Sequence, residues 1–450
     1  MGTMRLLFVA DGRSPIALNW IDYFVERGHE VHLASTFPCL EDARLKSLSF
    51  VPVAFSGAKV GLQKESSQAS GRKSSRGGFW GASALPLRTL IRQWLGPLTL
   101  SKSAQRLDRI VSSVNPELIH AMRIPYEGML AARSKSTAPL LISVWGNDFT
   151  LHAPATPLTA HHTRLALRRA NALHTDCQRD RRLAYVWGFD PDKQVAVLPG
   201  AGGVQPELFY PPALDRRVPE GEVAGVPRDV DIPASTSRRI LHGGGDDRSA
   251  SGKQTAGGSD TYERDRTIIN PRGFRAYVRN DTFFRAIPLV LQRQPKARFL
   301  CPAMAEEPRA WRWVREMGVA ANVDLLPTQT RPQMAELFRR SRVAVSATTH
   351  DGTPNTLLEA MACGCLPVAG DIESIREWIE PGKNGLLFDP ADHQSLAHEI
   401  LRSLEDEALT RIAVENNTRL IAEKAVYPVV MAQAQLFYEN LIDISPSASR

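Results

Sequence analysis

Two carboxylates, Asp351 and Glu359, flank a turn and a helix start in the run His350–Gly364, HDGTPNTLLEAMACG. The preceding Arg342–Thr348, RVAVSAT, is apolar and β-branched and reads as a buried strand. Gly352 and Pro354 then predict a turn, with Thr353 able to cap and Pro354 suited to the first helical position. A strand, a tight turn and a helix in this order aim unpaired backbone N–H groups at the strand end, which makes an anion site. The amides among Thr353, Asn355, Thr356 and Leu357 are expected to meet phosphate oxygens. Carboxylates beside such a site accept bonds from hydroxyls. The chemistry predicted is therefore the grip of a nucleotide sugar. Read singly, Asp351 is also a turn former and Glu359 an exposed helix acid.

A diphosphate calls for cations, and Pro271–Asp281, PRGFRAYVRND, supplies Arg272, Arg275 and Arg279 just after the apolar run Thr267–Asn270. A surface arginine cluster is the plainer reading. In the first half, Gly12 follows the strand-like Arg5–Ala10 and serves either a ligand or only a turn. Ser143–Phe149, SVWGNDF, offers Trp145 as a platform for a sugar ring, with Gly146 and Asp148 beside it. His120 ends another apolar run, where a satisfied core histidine is the simpler reading; Arg123 nearby is a candidate contact for an anionic acceptor.

These residues need a scaffold of alternating strands and helices. Arg5–Ala10, a helix over Ala17–Arg27 stopped by Gly28, and Glu30–Ser35 form a βαβ opening, which implies a parallel sheet. Leu118–His120, Leu140–Val144, Ala172–Thr175 and Gln194–Leu198 continue it, and Arg298–Cys301, Val323–Leu326, Leu366–Ala369 and Gly385–Phe388 repeat the pattern in the second half. Ser56–Ser83 and Pro212–Arg266 are polar and Gly/Ser rich, so a loop and a linker are expected. His242–Gly245 in the linker has no strand or helix to aim it at a phosphate. Leu87–Val111 mixes cations with apolar residues and could rest on a membrane face, but Pro97 breaks it, and an ordinary surface helix pair is the simpler reading.

At 450 residues two domains are expected. The chain is 43% hydrophobic and 23% charged, as in globular proteins. No apolar run reaches the roughly 20 residues of a membrane span, and the start shows no secretory signal pattern. Five cysteines form no paired framework, and Cys363-Gly-Cys365 lacks further ligands, so no metal is expected and a reduced, cytoplasmic setting is. The net charge of +7 suits anionic donors or lipid surfaces, while no nucleic-acid motif is present.

The run from Asp351 onward resembles the signature of retaining nucleotide-sugar glycosyltransferases with two facing Rossmann-like domains, the GT-B fold of family-4 type. That signature has two glutamates separated by seven residues, then Ala-Met-Ala-x-Gly and a Pro-Val-Val strand. Glu359, Ala360, Met361, Ala362, Gly364 and Pro367-Val368-Ala369 match, and so downstream do Glu377, Gly382–Leu387, Asp392 and Leu396-Ala397. Asp351 departs from it, a methylene shorter than Glu. Val197–Pro211 resembles the close of the family's first domain.

The resemblance implies an α/β protein of three parts: an acceptor domain over 1–211, a linker insertion over 212–266 and a donor domain over 267–423. A final helix, Lys424–Leu441, would cross back to the first domain. Glu359 would bind the ribose, Asp351 the transferred sugar, and Arg272 with Arg279 the pyrophosphate. In the family a His-Gly pair often stands where this chain has Trp145-Gly146, so a histidine base at that spot is not expected. The activity implied is metal-independent, cofactor-free sugar transfer to a glycan, lipid-linked or small-molecule acceptor; the net charge and the Leu87–Val111 run leave contact at the inner membrane face open. A non-catalytic sugar-nucleotide-binding subunit and a nucleotide-sugar epimerase stay open as alternatives.

Overall fold

The computed structural model describes residues 2–56, 92, 94–212 and 264–444. The expected loop over Ser56–Ser83 beyond its first residue, part of Leu87–Val111, and most of the expected linker with His242–Gly245 lie outside the described residues.

The first sheet has seven parallel strands: β1 (Arg5–Ala10), β2 (Glu30–Ser35), β3 (Ser47–Phe50), β4 (Leu118–Ala121), β5 (Leu140–Val144), β6 (Ala172–Thr175) and β7 (Gln194–Val197), in the order β3-β2-β1-β4-β5-β6-β7. Helices cover both faces, which is why β1, β4, β5 and β6 are apolar runs without polar alternation. Helix α1 (Pro15–Glu26) begins where the Ser14 side chain accepts from the Ala17 amide, and buries Trp20, Ile21 and Phe24. A short turn, Gly96–Thr99, precedes α2 (Leu100–Val114), so Pro97 does interrupt the amphipathic run. Helices α3 (Pro157–Arg169) and α4 (Gln178–Val186) complete the layer.

The second sheet repeats the topology with six strands: β8 (Thr267–Ile269), β9 (Arg298–Cys301), β10 (Val323–Leu325), β11 (Val343–Ser346), β12 (Leu366–Gly370) and β13 (Leu386–Phe388), in the order β10-β9-β8-β11-β12-β13. Its helices are α5 (Asn280–Arg293), α6 (Pro308–Glu316), α7 (Arg331–Arg339), α8 (Asn355–Ala362), α9 (His393–Glu405) and α10 (Glu407–Lys424). In both sheets the strand order reverses beside the first strand. Ligands of such sheets gather at the carboxyl ends of the strands at that reversal, and the loops after β1, β4, β8 and β11 carry most of the candidate residues.

Helix α11 (Tyr427–Asp443) returns to the first sheet and buries Val430, Met431, Ala434 and Tyr438 against Phe8, Trp20 and Phe24. Both passages between the lobes are stitched together. The Val204 amide donates to the Ala425 carbonyl at 2.7 Å, and the Tyr427 amide to the Val204 carbonyl at 2.8 Å.

Candidate functional site

The loop after β11 and the start of α8 form the base of the site. Helix α8 begins one residue later than the sequence suggests, at Asn355, with Pro354 extended (φ −70°, ψ 120°) at the cap position. Thr353 does not cap: its hydroxyl donates to the Asp176 carbonyl across the cleft and accepts from Trp378 Nε1 at 2.9 Å. The Leu357 amide is committed to the Pro354 carbonyl at 3.0 Å. That leaves Asn355 and Thr356 as the helix-start donors that have no carbonyl a turn earlier within the helix.

Beside this helix start, the loop after β8 is held in place from below. Buried Asn270 receives the Arg272 amide (3.3 Å) and donates to Asn280, whose own Nδ2 donates to the Gly273 carbonyl at 2.8 Å. Along its outer edge, the Thr349 amide donates to the Tyr277 carbonyl (2.9 Å) and the Arg279 amide to the Ala347 carbonyl (2.8 Å). Arg272 then reaches the Asp351 carboxylate, and its Nη1 lies 3.3 Å from Thr356 Oγ1. Glu359, one turn further along α8, shares that face by its spacing from Thr356 and meets Arg331 Nη2 at 3.4 Å. Arg272, Asp351, Thr356 and Glu359 therefore form one strip.

Arg279 is not part of it. Its guanidinium pairs with Asp281 two residues on, at 2.8 Å. The further cations whose charge Asp351 feels are Arg179 of the first lobe and then Arg275.

The first lobe meets this strip directly. Glycine is required twice: a Cβ on Gly146 would overlap the Gly352 backbone, and one on Gly352 would overlap the Asp176 carboxylate. Arg179 bridges the lobes, donating to the Gly146 carbonyl at 2.7 Å and to Ser374 Oγ at 3.3 Å. Helix α4 has no capping side chain of its own, since Cys177 stands at its cap position. Glu377 of the second lobe does that work, accepting from the amides of Gln178 (2.7 Å) and Arg179 (2.8 Å). An anion at a helix start satisfies its free donors and its dipole.

Burial governs the acids. It pushes Glu359 up to about 7, with Arg331 opposing. It raises Asp351 as well, against the pull of Arg272. Asp176 is pushed far above the usual carboxylate range by burial, then by Asp180 and Asp351. Several buried polar atoms here have no partner among the described residues, including Arg272 Nε, Trp145 Nε1 and Asp176 Oδ1. Buried unpaired donors and acceptors are costly and gather where a ligand completes them.

The expected acceptor residues divide. Trp145 lies at the lobe interface with Arg123 over its ring at 5.4 Å. Asp148 is fully buried and structural: it bonds Arg123 Nε (2.9 Å) and the Trp145 amide (3.1 Å). His120 belongs to the core, where its rings of contact are Tyr438 on one nitrogen and Ser143 Oγ (2.7 Å) on the other. Burial drives its pKa well below the ordinary value, so it stays neutral. Gly12 packs against Ser35 and Cys39, its amide bonded to Ser35 Oγ at 3.0 Å. Sequence reasoning missed Asp176 and Arg179, although TDCQRD, a charged run straight after a buried strand, was the available signal.

Comparison with known proteins accounts for both halves. Residues 12–200 match the model of a glycosyl transferase 4-like domain, and residues 273–406 match that of glycosyl transferases group 1. An exopolysaccharide phosphotransferase of Streptomyces coelicolor is 33% identical over 187 residues, 39% of this chain and 19% of that protein. The chain spans between 19% and 27% of the length of the curated relatives it matches. Among solved structures, sucrose-phosphate synthase from Thermosynechococcus elongatus superposes with a TM-score of 0.69 at 14% identity, covering 98% of this chain and 99% of that one. Anabaena HepE in complex with UDP and glucose gives 0.63 at 13% identity, covering 97% and 100%. At such identities the likeness establishes the fold, GT-B. With family models matched in both lobes, the chain belongs to the group 1, family-4-like glycosyltransferases.

Proposed function

We propose that this protein is a nucleotide-sugar-dependent glycosyltransferase that retains the configuration of the transferred sugar. The observation that carries the reading is the strip formed by Arg272, Asp351, Thr356 and Glu359 at the start of α8. In this reading the Asn355 and Thr356 amides and Arg272 hold the diphosphate, Glu359 accepts from the ribose hydroxyls, and Asp351 accepts from the transferred sugar. Cations at the leaving diphosphate act most strongly as its charge develops. Closure of Gly146 on Gly352 excludes water, which favours transfer over hydrolysis.

HepE, a structural neighbour, is described with UDP and with UDP-glucose, so a uridine diphosphate sugar is the donor we infer. The acceptor is a glycan, a lipid-linked sugar or a small molecule held by the first lobe. No helix among the described residues is long and apolar enough to cross a membrane; exposed Trp94, Leu95 and Leu98 before α2 are the surface that would touch one. The reading divides the chain near 212 and 266. Its test is calorimetry with UDP and GDP followed by incubation with UDP-glucose: UDP binding with donor consumption supports it, and no binding of either nucleotide overturns it.

A further inference from the structure

Asp351, which grips the transferred sugar in the donor reading, is held by more than its own lobe. Its backbone carbonyl accepts from Ser374 Oγ at 2.6 Å. Ser374 is fully buried and stands at the cap position of the short turn Ile375–Glu377, yet its hydroxyl caps nothing there. A hydroxyl carries one proton and swings until an acceptor and a donor fix it. Asp351 supplies the acceptor. The donor comes from the other lobe, as Arg179 Nη1 at 3.3 Å.

Arg179 is itself preset. Asp180 accepts from its Nε at 2.9 Å and its Nη2 at 2.7 Å, and the Gly146 carbonyl accepts from Nη2 at 2.7 Å. Glu377 accepts from its backbone amide, which pins the first turn of α4. The side chain is buried, and hydrogen bonds in series strengthen one another in such a medium. The series Arg179, Ser374, Asp351 therefore runs from the first lobe to the backbone of the donor loop. A guanidinium proton placed on Ser374 turns the hydroxyl proton toward Asp351, and with the lobes apart that constraint is lost. Charge acts in the same sense. Burial raises the Asp351 carboxyl, Arg272 opposes most strongly, and Arg179 adds to that opposition.

We propose that Arg179 is a positioning residue for Asp351, acting through Ser374, so that the sugar-holding carboxylate is set for reaction only when the lobes close. The inference rests on the donor reading above and adds a first-lobe residue to it. An open molecule would hold the nucleotide at α8 with a slack grip on the sugar, and closure would tighten it.

The test measures UDP affinity by calorimetry, and UDP released from UDP-glucose with water as acceptor, in full-length variants. Ser374→Ala removes the hydroxyl and leaves Arg179 bound to Gly146. Its kcat should fall about tenfold while the UDP dissociation constant changes less than about twofold. Arg179→Lys, which keeps the charge but loses the fork, should lower kcat at least as much. Added to Arg179→Lys, Ser374→Ala should cost little more, because the two act as one unit. Arg182→Ala removes an exposed bridge from the same helix to Glu373 and should leave kcat unchanged. Unchanged kcat in Ser374→Ala, or losses that multiply in the double variant, overturns the proposal. Equal losses of kcat and UDP affinity make Ser374 merely structural and overturn it too, as does a loss in Arg182→Ala as large as that in Ser374→Ala. Failure of the wild type to bind UDP overturns the donor reading itself. UDP bound with no UDP-glucose consumed overturns the relay instead, because closed lobes would then set no reacting carboxylate.

Discussion

Arg272 spans two parts of the second lobe at once, closing on the Asp351 carboxylate while its Nη1 lies 3.3 Å from the Thr356 hydroxyl. The loop after β11 and the first turn of α8 are thereby tied by one cation. A diphosphate arriving at the helix start would compete with Asp351 for that guanidinium, freeing the carboxylate to accept from a sugar hydroxyl.

Asp351→Asn keeps the shape of this contact and removes its charge. Turnover should fall by about two to three orders of magnitude, because the acid acts on the reacting sugar. UDP affinity should change less than about tenfold. Steady-state kinetics beside UDP calorimetry separates the two, and the reverse pattern would count against a sugar contact.

The donor affinity should depend on pH around neutrality. Glu359, raised from 4.5 to about 7 in the folded chain, is protonated below that value and accepts fewer hydroxyl bonds. UDP should therefore bind more tightly as pH rises from 6 to 8, and Glu359→Gln should flatten the curve and cost roughly 1–3 kcal/mol of binding at pH 8. Stability runs the other way. Between pH 4.5 and about 7 the folded state binds more protons here than the unfolded state, so this group's contribution declines as pH rises through that window. Thermal melts of the wild type and Glu359→Gln should diverge across it.

Gly352→Ala tests closure. The added methyl would meet the Asp176 carboxylate, so the lobes should sit further apart while the donor loop stays intact. Turnover should drop at least about tenfold with UDP affinity little changed, and small-angle scattering should show a larger radius of gyration.

Glu377→Ala removes the cap that the second lobe places on α4. The loss should be about 1 kcal/mol of stability, with a scattering profile shifted toward open lobes. Denaturant titration with scattering at each step measures both.

Tyr438→Phe removes a hydroxyl from the buried chain of Tyr438, His120, Ser143, His174 and the Leu198 carbonyl. It should cost about 1–3 kcal/mol by leaving His120 Nδ1 without its partner and leave turnover per folded molecule unchanged. A selective loss of activity would return His120 to the acceptor site.

The donor half of the site was legible because its parts are close in sequence. Strand, turn and helix from Arg342 to Gly364 dictate their own geometry, and hydrophobic periodicity alone anticipated both parallel sheets. The helix start shifted by a residue because Thr353 found a better partner across the cleft, in the Asp176 carbonyl, than in its own helix. That Arg279 pairs with Asp281 follows from loop geometry, fixed by buried Asn270 and Asn280, which cannot be read from spacing. Asp176 and Arg179 gain their meaning only from contacts with residues some 175 to 200 positions away, and no local pattern encodes those.

The paired crossings at Val204 and Val426 have a mechanical consequence. A single strand of chain between two bodies acts as a ball joint, whereas two strands bonded side by side act as a door hung on two pins. Swinging about one axis stays easy and twisting is resisted. Each swing would then bring the same face of one half onto the same face of the other, so the precision of assembly lies in the hinge rather than in the ligand.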